Sequence, residues 1–328
     1  NGITVNYAGG GEISGNVLRR TNSGIQLSYG NGSYTITNNT IDSTNYTSLN
    51  LYNIATAVIK YNTITNSQQY SSNYYGIYVY RGNAVATVQI TKNTISGNRS
   101  WGMYLNRTIG VIDSNTVTNN QYGGIYLLGD FNYPSLDSIR YNTITGNSND
   151  GIQNNGYSKP IVNYNNIYNN TGYDYRDNTA ASIYTELDAK YNWWGTATTA
   201  AFNTGGNPKN ITKLYDKYDD ATLGFVNYGQ WLSAEVNITD VNPPTTIANL
   251  STTNPTSNSL DLTWSAPSDD GATGKAQSYE VRYSTSMVTS GNWVSAILVS
   301  SNVPTPGNSG YAERITITGL IPNTTYYF

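Results

Sequence analysis

The chain has no cysteine and no histidine. Disulfides, thiolate nucleophiles, imidazole acid–base catalysis and most zinc or iron sites are thereby excluded, so any catalysis would rest on Asp, Glu, Lys, Arg or Tyr. Charge is also scarce: 11% of residues are charged and the formal net charge is −3. No basic field exists to hold a nucleic-acid backbone, which removes polynucleotide from the expected partners. No apolar run approaches the roughly 20 residues that span a membrane. Asn1-Gly2-Ile3 does not read as a signal peptide, so the sequence is expected to be a mature or excised piece.

What is present suits strands and turns: 31 Tyr against 4 Phe, 31 Gly, and abundant Asn and Thr. Very little helix is expected. A phrase recurs, Tyr61-Asn62-Thr63-Ile64-Thr65 and again Tyr141-Asn142-Thr143-Ile144-Thr145, with looser copies around them. Asn16, Asn39, Asn62, Asn93, Asn115, Asn142, Asn165 and Asn192 hold one place in it, separated by 23, 23, 31, 22, 27, 23 and 27 residues. A second phrase, Gly-Ile-x-Val/Leu, lies between them, as in Gly24-Ile25-Gln26-Leu27, Gly76-Ile77-Tyr78-Val79 and Gly124-Ile125-Tyr126-Leu127. Each coil therefore holds at least two short strands at a fixed offset.

A period of 20 to 50 residues marks a solenoid, propeller or array, and the alternating apolar pattern inside this one carries no helix. Leucine-rich and helical repeats are disfavoured, and a propeller blade needs about twice this length. A parallel β-helix fits, its coils pairing at about 4.8 Å so that inward Ile, Val and Leu stack in columns. The recurring Asn is expected to be structural: it tolerates the left-handed backbone a bend requires and bonds to identical amides one coil away.

The repeat resembles the right-handed parallel β-helix families, which include pectate lyases and many bacterial and archaeal surface proteins. The resemblance covers residues 1–195. Tyr191-Asn192-Trp193-Trp194-Gly195, the acidic stretch through Asp216, Asp219 and Asp220, and Trp231-Leu232 resemble the close of surface-protein β-helices, making 196–241 a C-terminal cap and linker. Trp193, Trp194 and Trp231 are the expected cap residues over the exposed core. Val241-Asn242-Pro243-Pro244 reads as a linker. From 242 to 328 the chain resembles an incomplete fibronectin type III β-sandwich: Leu260-Asp261-Leu262-Thr263-Trp264 carries the core Trp, and Gly319 to Phe328 looks like the tyrosine corner, with Tyr326 at its centre. The expected fold class is all-β, a β-helix followed by this truncated module.

The resemblance implies a ligand lying along the outer face of one strand column. Alternation puts Thr4, Gln26, Asn50, Tyr78, Tyr104, Tyr126 and Gln153 outward in the Gly-Ile-x-Val column, with the three tyrosines forming a flat strip. Arg81, Arg107 and Asp130 stand just beyond it. The loop from Asn66 to Tyr75 adds Tyr70, Tyr74 and Tyr75, and the loop from Gly129 to Leu136 adds Phe131 and Tyr133. Aromatic rings with few charges suit sugar rings, though tyrosine ladders also simply stabilise sheets. Enzymatic cleavage by two carboxyls would need them about 5 to 10 Å apart on one face. The only catalytic candidates are weak: Asp130 near the arginines, and Asp113 beside Arg140 on the next column. No metal-site spacing appears. Asp216, Asp219, Asp220 and Asp269-Asp270 offer calcium-type oxygens but read as solvated turns.

These observations lead to the expectation of a non-catalytic extracellular or cell-surface protein of a bacterium or archaeon. A rigid rod of this kind would serve structure, adhesion or polysaccharide binding, or act as a filament or surface-layer subunit among neighbouring copies. The alternative is a polysaccharide lyase or glycoside hydrolase. No cofactor is expected beyond calcium.

Overall fold

Short strands and bends make each coil of the first unit, because most inward strand positions are apolar and every bend is supplied with a residue suited to it. The computed structural model describes residues 2–68, 74–237, 244–268, 275–276, 278–289 and 292–328. Tyr70, Val241-Asn242-Pro243 and Asp269-Asp270 lie outside them. The chain divides into two units, Asn1–Ile238 and Thr239–Phe328.

In the first unit the strands stack into three parallel sheets of nine, nine and seven strands. The first sheet runs from Ile3–Asn6 through Ile77–Tyr80, Trp101–Asn106 and Gly123–Gly129 to Leu214–Tyr215, and the second from Gly10–Ser14 to Phe225–Asn227. The third runs from Val17–Arg19 to Asn166–Tyr168 and is built from the Thr-Ile-Thr part of the repeated phrase. Its central side chains, Ile41, Ile64, Ile95, Val117, Ile144 and Ile167, are all fully buried and form one interior column. Burying each such side chain contributes about 1.5–3 kcal/mol. Outside, the register places Thr40, Thr63, Thr94, Thr116 and Thr143 in one file, and Asp42, Thr65, Ser96, Thr118 and Thr145 in a second.

From Asn39 onward the ladder asparagines are buried, and each donates from Nδ2 to the next along the ladder: Asn39 to Asn62 at 3.0 Å, Asn93 to Asn115 at 2.9 Å, Asn165 to Asn192 at 3.0 Å. Every Oδ1 also accepts the previous ladder residue's backbone N–H, as Asn142 does from Asn115 at 2.9 Å. The left-handed residue, however, is not the ladder Asn. It is the residue before it: Gly15, Asn38, Tyr61, Lys92, Ser114, Tyr141, Tyr164 and Tyr191 all have φ between 54 and 68°. The physical reason is a division of labour at the corner. The turning residue points outward and the asparagine after it swings inward to bond, so any type that accepts a few tenths to about 2 kcal/mol of strain can do the turning.

A second amide ladder runs five residues on, from Asn98 to Asn120, Asn147 and Asn170 with Nδ2 to Oδ1 distances of 2.9, 3.0 and 2.9 Å. It ends on the buried Asp174, whose Oδ1 accepts from Asn170 at 2.9 Å. The Gly of the Gly-Ile phrase sits where the next coil's backbone and, from Gly76 onward, this ladder leave no room for a side chain. A Cβ on Gly124 would stand 2.4 Å from the Gly151 carbonyl, 2.9 Å from Ile144 Cγ2 and 3.2 Å from Asn147 Nδ2. Gly124→Ala is therefore expected to lower stability by about 1–3 kcal/mol, read as a reduced urea midpoint at unchanged slope.

At the C-terminal end the helix Gly195–Asn203 lies across the last coil. Trp194 and Phe202 are buried, Tyr228 stacks on Phe202 at 4.6 Å, and Trp231 packs on the same ring at 4.9 Å. Trp193 differs from the expectation: it faces outward, its ring 4.8 Å from Tyr168, because the alternation that buries Trp194 turns its neighbour to the surface.

The second unit pairs Ser251–Thr253 and Ala312–Thr318 with Ser259–Ser265 in an antiparallel sheet, and Arg282–Tyr283 with Ile297–Leu298 in another. Leu262, Trp264, Ile315, Ile317 and Leu320 form its core, with Tyr279 edge-on to Trp264 at 5.1 Å. Ile321 N–H donates to the Tyr326 hydroxyl at 3.0 Å, the bond of a tyrosine corner.

Candidate functional site

The first sheet's register sets Asn50, Tyr78, Tyr104, Tyr126 and Gln153 side by side on its outer surface. One alternation further along the strand, Tyr52 pairs with Tyr80. Ring contacts then run without a break over six coils: Tyr7–Tyr29 at 5.1 Å, Tyr29–Tyr52 at 5.5 Å, Tyr52–Tyr80 at 5.4 Å, Tyr80–Tyr78 at 6.4 Å, Tyr78–Tyr104 at 5.6 Å and Tyr104–Tyr126 at 4.6 Å. Tyr75 leans on both Tyr78 and Tyr104, at 5.1 and 4.6 Å. Tyr74 instead contacts Tyr46 at 4.9 Å, away from this run.

The expected flat strip is absent, and the reason is geometric. Tyr104 and Tyr126 are stacked at an interplanar angle of 12°. Rings 4.6 Å apart and nearly parallel must face one another, so their planes stand across the rod and present edges and hydroxyls outward. Burial raises the hydroxyl pKa of Tyr78 and Tyr126, pushes Tyr104 to about 12 and raises Tyr75 further, with neighbouring phenols adding to all four. The hydroxyls accordingly remain protonated donors through the physiological range.

Stacking ends where the aromatic side chain gives way to Gln153. There Tyr126 borders a groove of about 510 Å³, walled by Trp101, Tyr122, Asn149, Asp150, Gln153 and Arg176. Trp101 meets Tyr126 at 5.2 Å, and Gly123 makes room for it, since a Cβ there would come within 2.2 Å of the indole. Asp150, the one carboxylate on the lining, is nearly fully buried and accepts from Arg176 Nε at 2.6 Å and from Tyr173 N–H at 2.8 Å. The Arg176 guanidinium is held between Tyr173 and Tyr215, 4.5 and 4.7 Å from their ring centres. The lining thus pairs its one carboxylate with its one guanidinium and leaves amides and aromatic rings to meet a ligand.

Sequence reasoning placed Tyr75, Tyr78, Tyr104 and Tyr126 in this region but missed Trp101, Tyr122, Asp150 and Arg176. Arg176 was legible as the next outward position after Gln153, and the second ladder as the same spacing displaced by five residues. Trp101 and Tyr122 carry no such signal. Arg107 forms an ion pair with Asp130 and lies over Tyr80 and Tyr133, 5.4 Å from each ring. Asp130 also accepts the Asn132 and Tyr133 N–H groups at 3.0 and 2.9 Å, so it holds its own loop. Arg81 donates to the Val85 carbonyl at 3.1 Å.

Asp113 and Arg140 pair at 2.8 Å on the second sheet, a different face from the tyrosines. Asp216 accepts the Tyr218 and Val226 N–H groups, and Asp220 that of Thr222. Among the described residues no group of three or more Asp or Glu side chains is placed to hold a metal. No helix there is long and apolar enough to cross a membrane.

Comparison with known families matches residues 75–193 to the right handed beta helix region and 242–328 to the fibronectin type III domain. Residues 1–108 match the family described as periplasmic copper-binding protein (NosD). No curated protein and no solved structure matches the chain. The molecule is a right-handed parallel β-helix followed by a fibronectin type III domain. Copper does not fit the donors of the matched stretch. It lacks Cys and His, and its one Met, Met103, is wholly inside the core, whereas copper sites are built from thiolate, thioether or imidazole.

Proposed function

We propose that this chain is an extracytoplasmic, non-catalytic rod that binds polysaccharide at the groove bordered by Trp101 and Tyr126. The observation carrying this reading is a continuous aromatic run that ends at Tyr126, on the wall of a groove lined by amides and an internally paired Asp150–Arg176. A sugar presents an apolar C–H face to such a ring and hydroxyls to Asn149 and Gln153, and the protonated tyrosine hydroxyls continue the contact along the rod. One carboxylate committed to an arginine is poor equipment for glycosidic cleavage, which uses two. The match to a family described as periplasmic supports a place outside the cytoplasm, at a bacterial or archaeal surface. Assembly of neighbouring copies into a filament or surface layer is compatible with such a rod.

The test is retention on immobilised polysaccharides. Alanine at Tyr78, Tyr104 and Tyr126 together removes about 1 kcal/mol per ring, so affinity should fall on the order of a hundredfold. The corresponding triple phenylalanine variant keeps the Tyr126 ring at the groove but removes the outward hydroxyls, so its affinity should fall between those of the native chain and the alanine variant. Unchanged retention by a folded triple alanine variant would sink the proposal, as would release of reducing ends or unsaturated products by the native chain.

A further inference from the structure

The outward hydroxyls of the repeated Thr-x-Thr in the third sheet add little to holding the coils together, beyond the bonds of Thr65 to Asp42 and Thr118 to Ser96. Its central Ile or Val fills the core, the Asn before it builds the ladder, and the residue before that turns the corner. Nothing in this construction asks for a hydroxyl on both outward positions. Strand propensity favours Thr but equally Val, Ile or Tyr, and the outer face of the first sheet shows how varied outward positions otherwise are. Yet over the four coils from Thr63 to Thr145 all eight outward positions are Thr or Ser, in register.

The two files form a lattice whose side-chain attachment points lie about 4.8 Å apart from coil to coil and about 6.6 Å apart along each strand. Threonine is stiff about χ1, so hydroxyl and methyl are fixed with little remaining freedom. The hydroxyls of Thr63, Thr94 and Thr116 bond to no other described group, and the second file is tied by the Thr118-to-Ser96 bond at 3.1 Å. No charged side chain interrupts these eight positions. The lattice is bounded on one end by Arg19 and Asp42, and on the other by Tyr168 and by Asn166, which the Val236 backbone covers.

A single sugar or peptide is recognised by a few convergent groups in a concavity, which this face lacks. A surface periodic in two directions matches a ligand that is itself periodic in two directions. We propose that the third sheet binds ice. Its hydroxyls and methyls would order a sheet of water that continues into the crystal, each site contributing little and many sites acting at once. Charged groups, whose hydration shells do not fit that lattice, are kept to its ends.

The experiment is ice-affinity partitioning of the full chain on a slowly growing ice surface, together with inhibition of recrystallisation. Native protein should enter the ice, and Thr94→Lys/Thr116→Lys should remain in the liquid at the level of an unrelated control protein. Both substitutions point outward, and circular dichroism checks the fold. Should the lysine pair fail to fold, Thr94→Tyr, whose ring stands out of the plane, takes its place. The triple alanine variant at Tyr78, Tyr104 and Tyr126 should enter ice as the native chain does, separating this face from the polysaccharide groove. Exclusion of the native chain from ice overturns the proposal. So does equal entry of a folded Thr variant, and so does binding of crystalline cellulose or chitin through this face without entry into ice.

Discussion

Asn115→Ala is expected to cost at least about 4 kcal/mol, more than any single truncation of an interior Val or Met column position, and to leave the β-helix largely unfolded at modest urea. The Asn115 amide donates to the Ile90 carbonyl at 2.7 Å, the Asp113 carbonyl at 3.1 Å and Asn142 Oδ1 at 2.9 Å. Its oxygen accepts the Asn93 backbone N–H at 3.0 Å and Asn93 Nδ2 at 2.9 Å. Alanine strands donors and acceptors on both neighbouring coils, where no water reaches them, at about 1–3 kcal/mol for each buried group left unsatisfied. Asn115→Asp separates hydrogen bonding from shape. A carboxylate keeps the acceptor but loses the donors and buries a charge, so this variant should be weak at pH 8 and partly recover toward pH 4, when protonation restores one donor. Denaturant unfolding of both variants measures the effect; a loss below about 1 kcal/mol for alanine would show that the ladder is not what holds the coils.

Acidification from pH 8 to pH 5 should stabilise the β-helix, by on the order of 5 kcal/mol. Burial pushes Asp137 up to about 7 against one opposing hydrogen bond from Thr108, and pushes Asp174 and Asp177 up to about 6 against several. A group whose folded pKa lies above its unfolded value contributes stability that is fully present below the unfolded value, near 4, and is lost as pH rises through the folded one. The window is therefore about pH 4 to 7. Asp42 acts in the opposite sense. Hydrogen bonds, that from Asn66 foremost, lower its pKa, so its contribution is present above the unfolded value and is lost only in stronger acid. Asp177 stands at an inward position that is Leu51, Val79 and Leu105 in earlier coils, and its Oδ2 has no hydrogen-bond partner among the described residues. Asp137→Asn and Asp177→Asn should each flatten part of the pH dependence of the urea midpoint. A native chain equally stable at pH 5 and pH 8 would refute this account.

The rod was legible because its period, its strand alternation and its ladder are all local signals repeated eight times. Asn62 and Asn142 announce themselves by spacing, and Ile64 and Ile144 by standing two residues later. The orientation of Tyr104 against Tyr126 was not legible, since alternation tells which side a ring leaves the sheet but not which way its plane turns. The groove was hidden for a different reason. Trp101 reaches it only because Gly123 on the next coil has no side chain, and Arg176 only because Asp150 and two rings hold it, all relations between coils whose lengths vary from 22 to 31 residues. The interior acids were visible as residues, and only the register shows that Asn154 and Asp177 continue a column of leucines.

Seven of the eight ladder amides, from Asn16 to Asn165, point the same way, each nitrogen bonding to the ladder residue of the following coil, and the inter-coil backbone bonds run along the same axis. A pull on the two ends of the rod would then load these bonds in series, so the weakest coil yields first and its neighbours remain intact. Each coil that opens would release about 22 to 31 residues, roughly 70 to 110 Å of slack. Such a rod meets an increasing load by lengthening in steps, a property of use to a molecule that has to stay attached while the surroundings move.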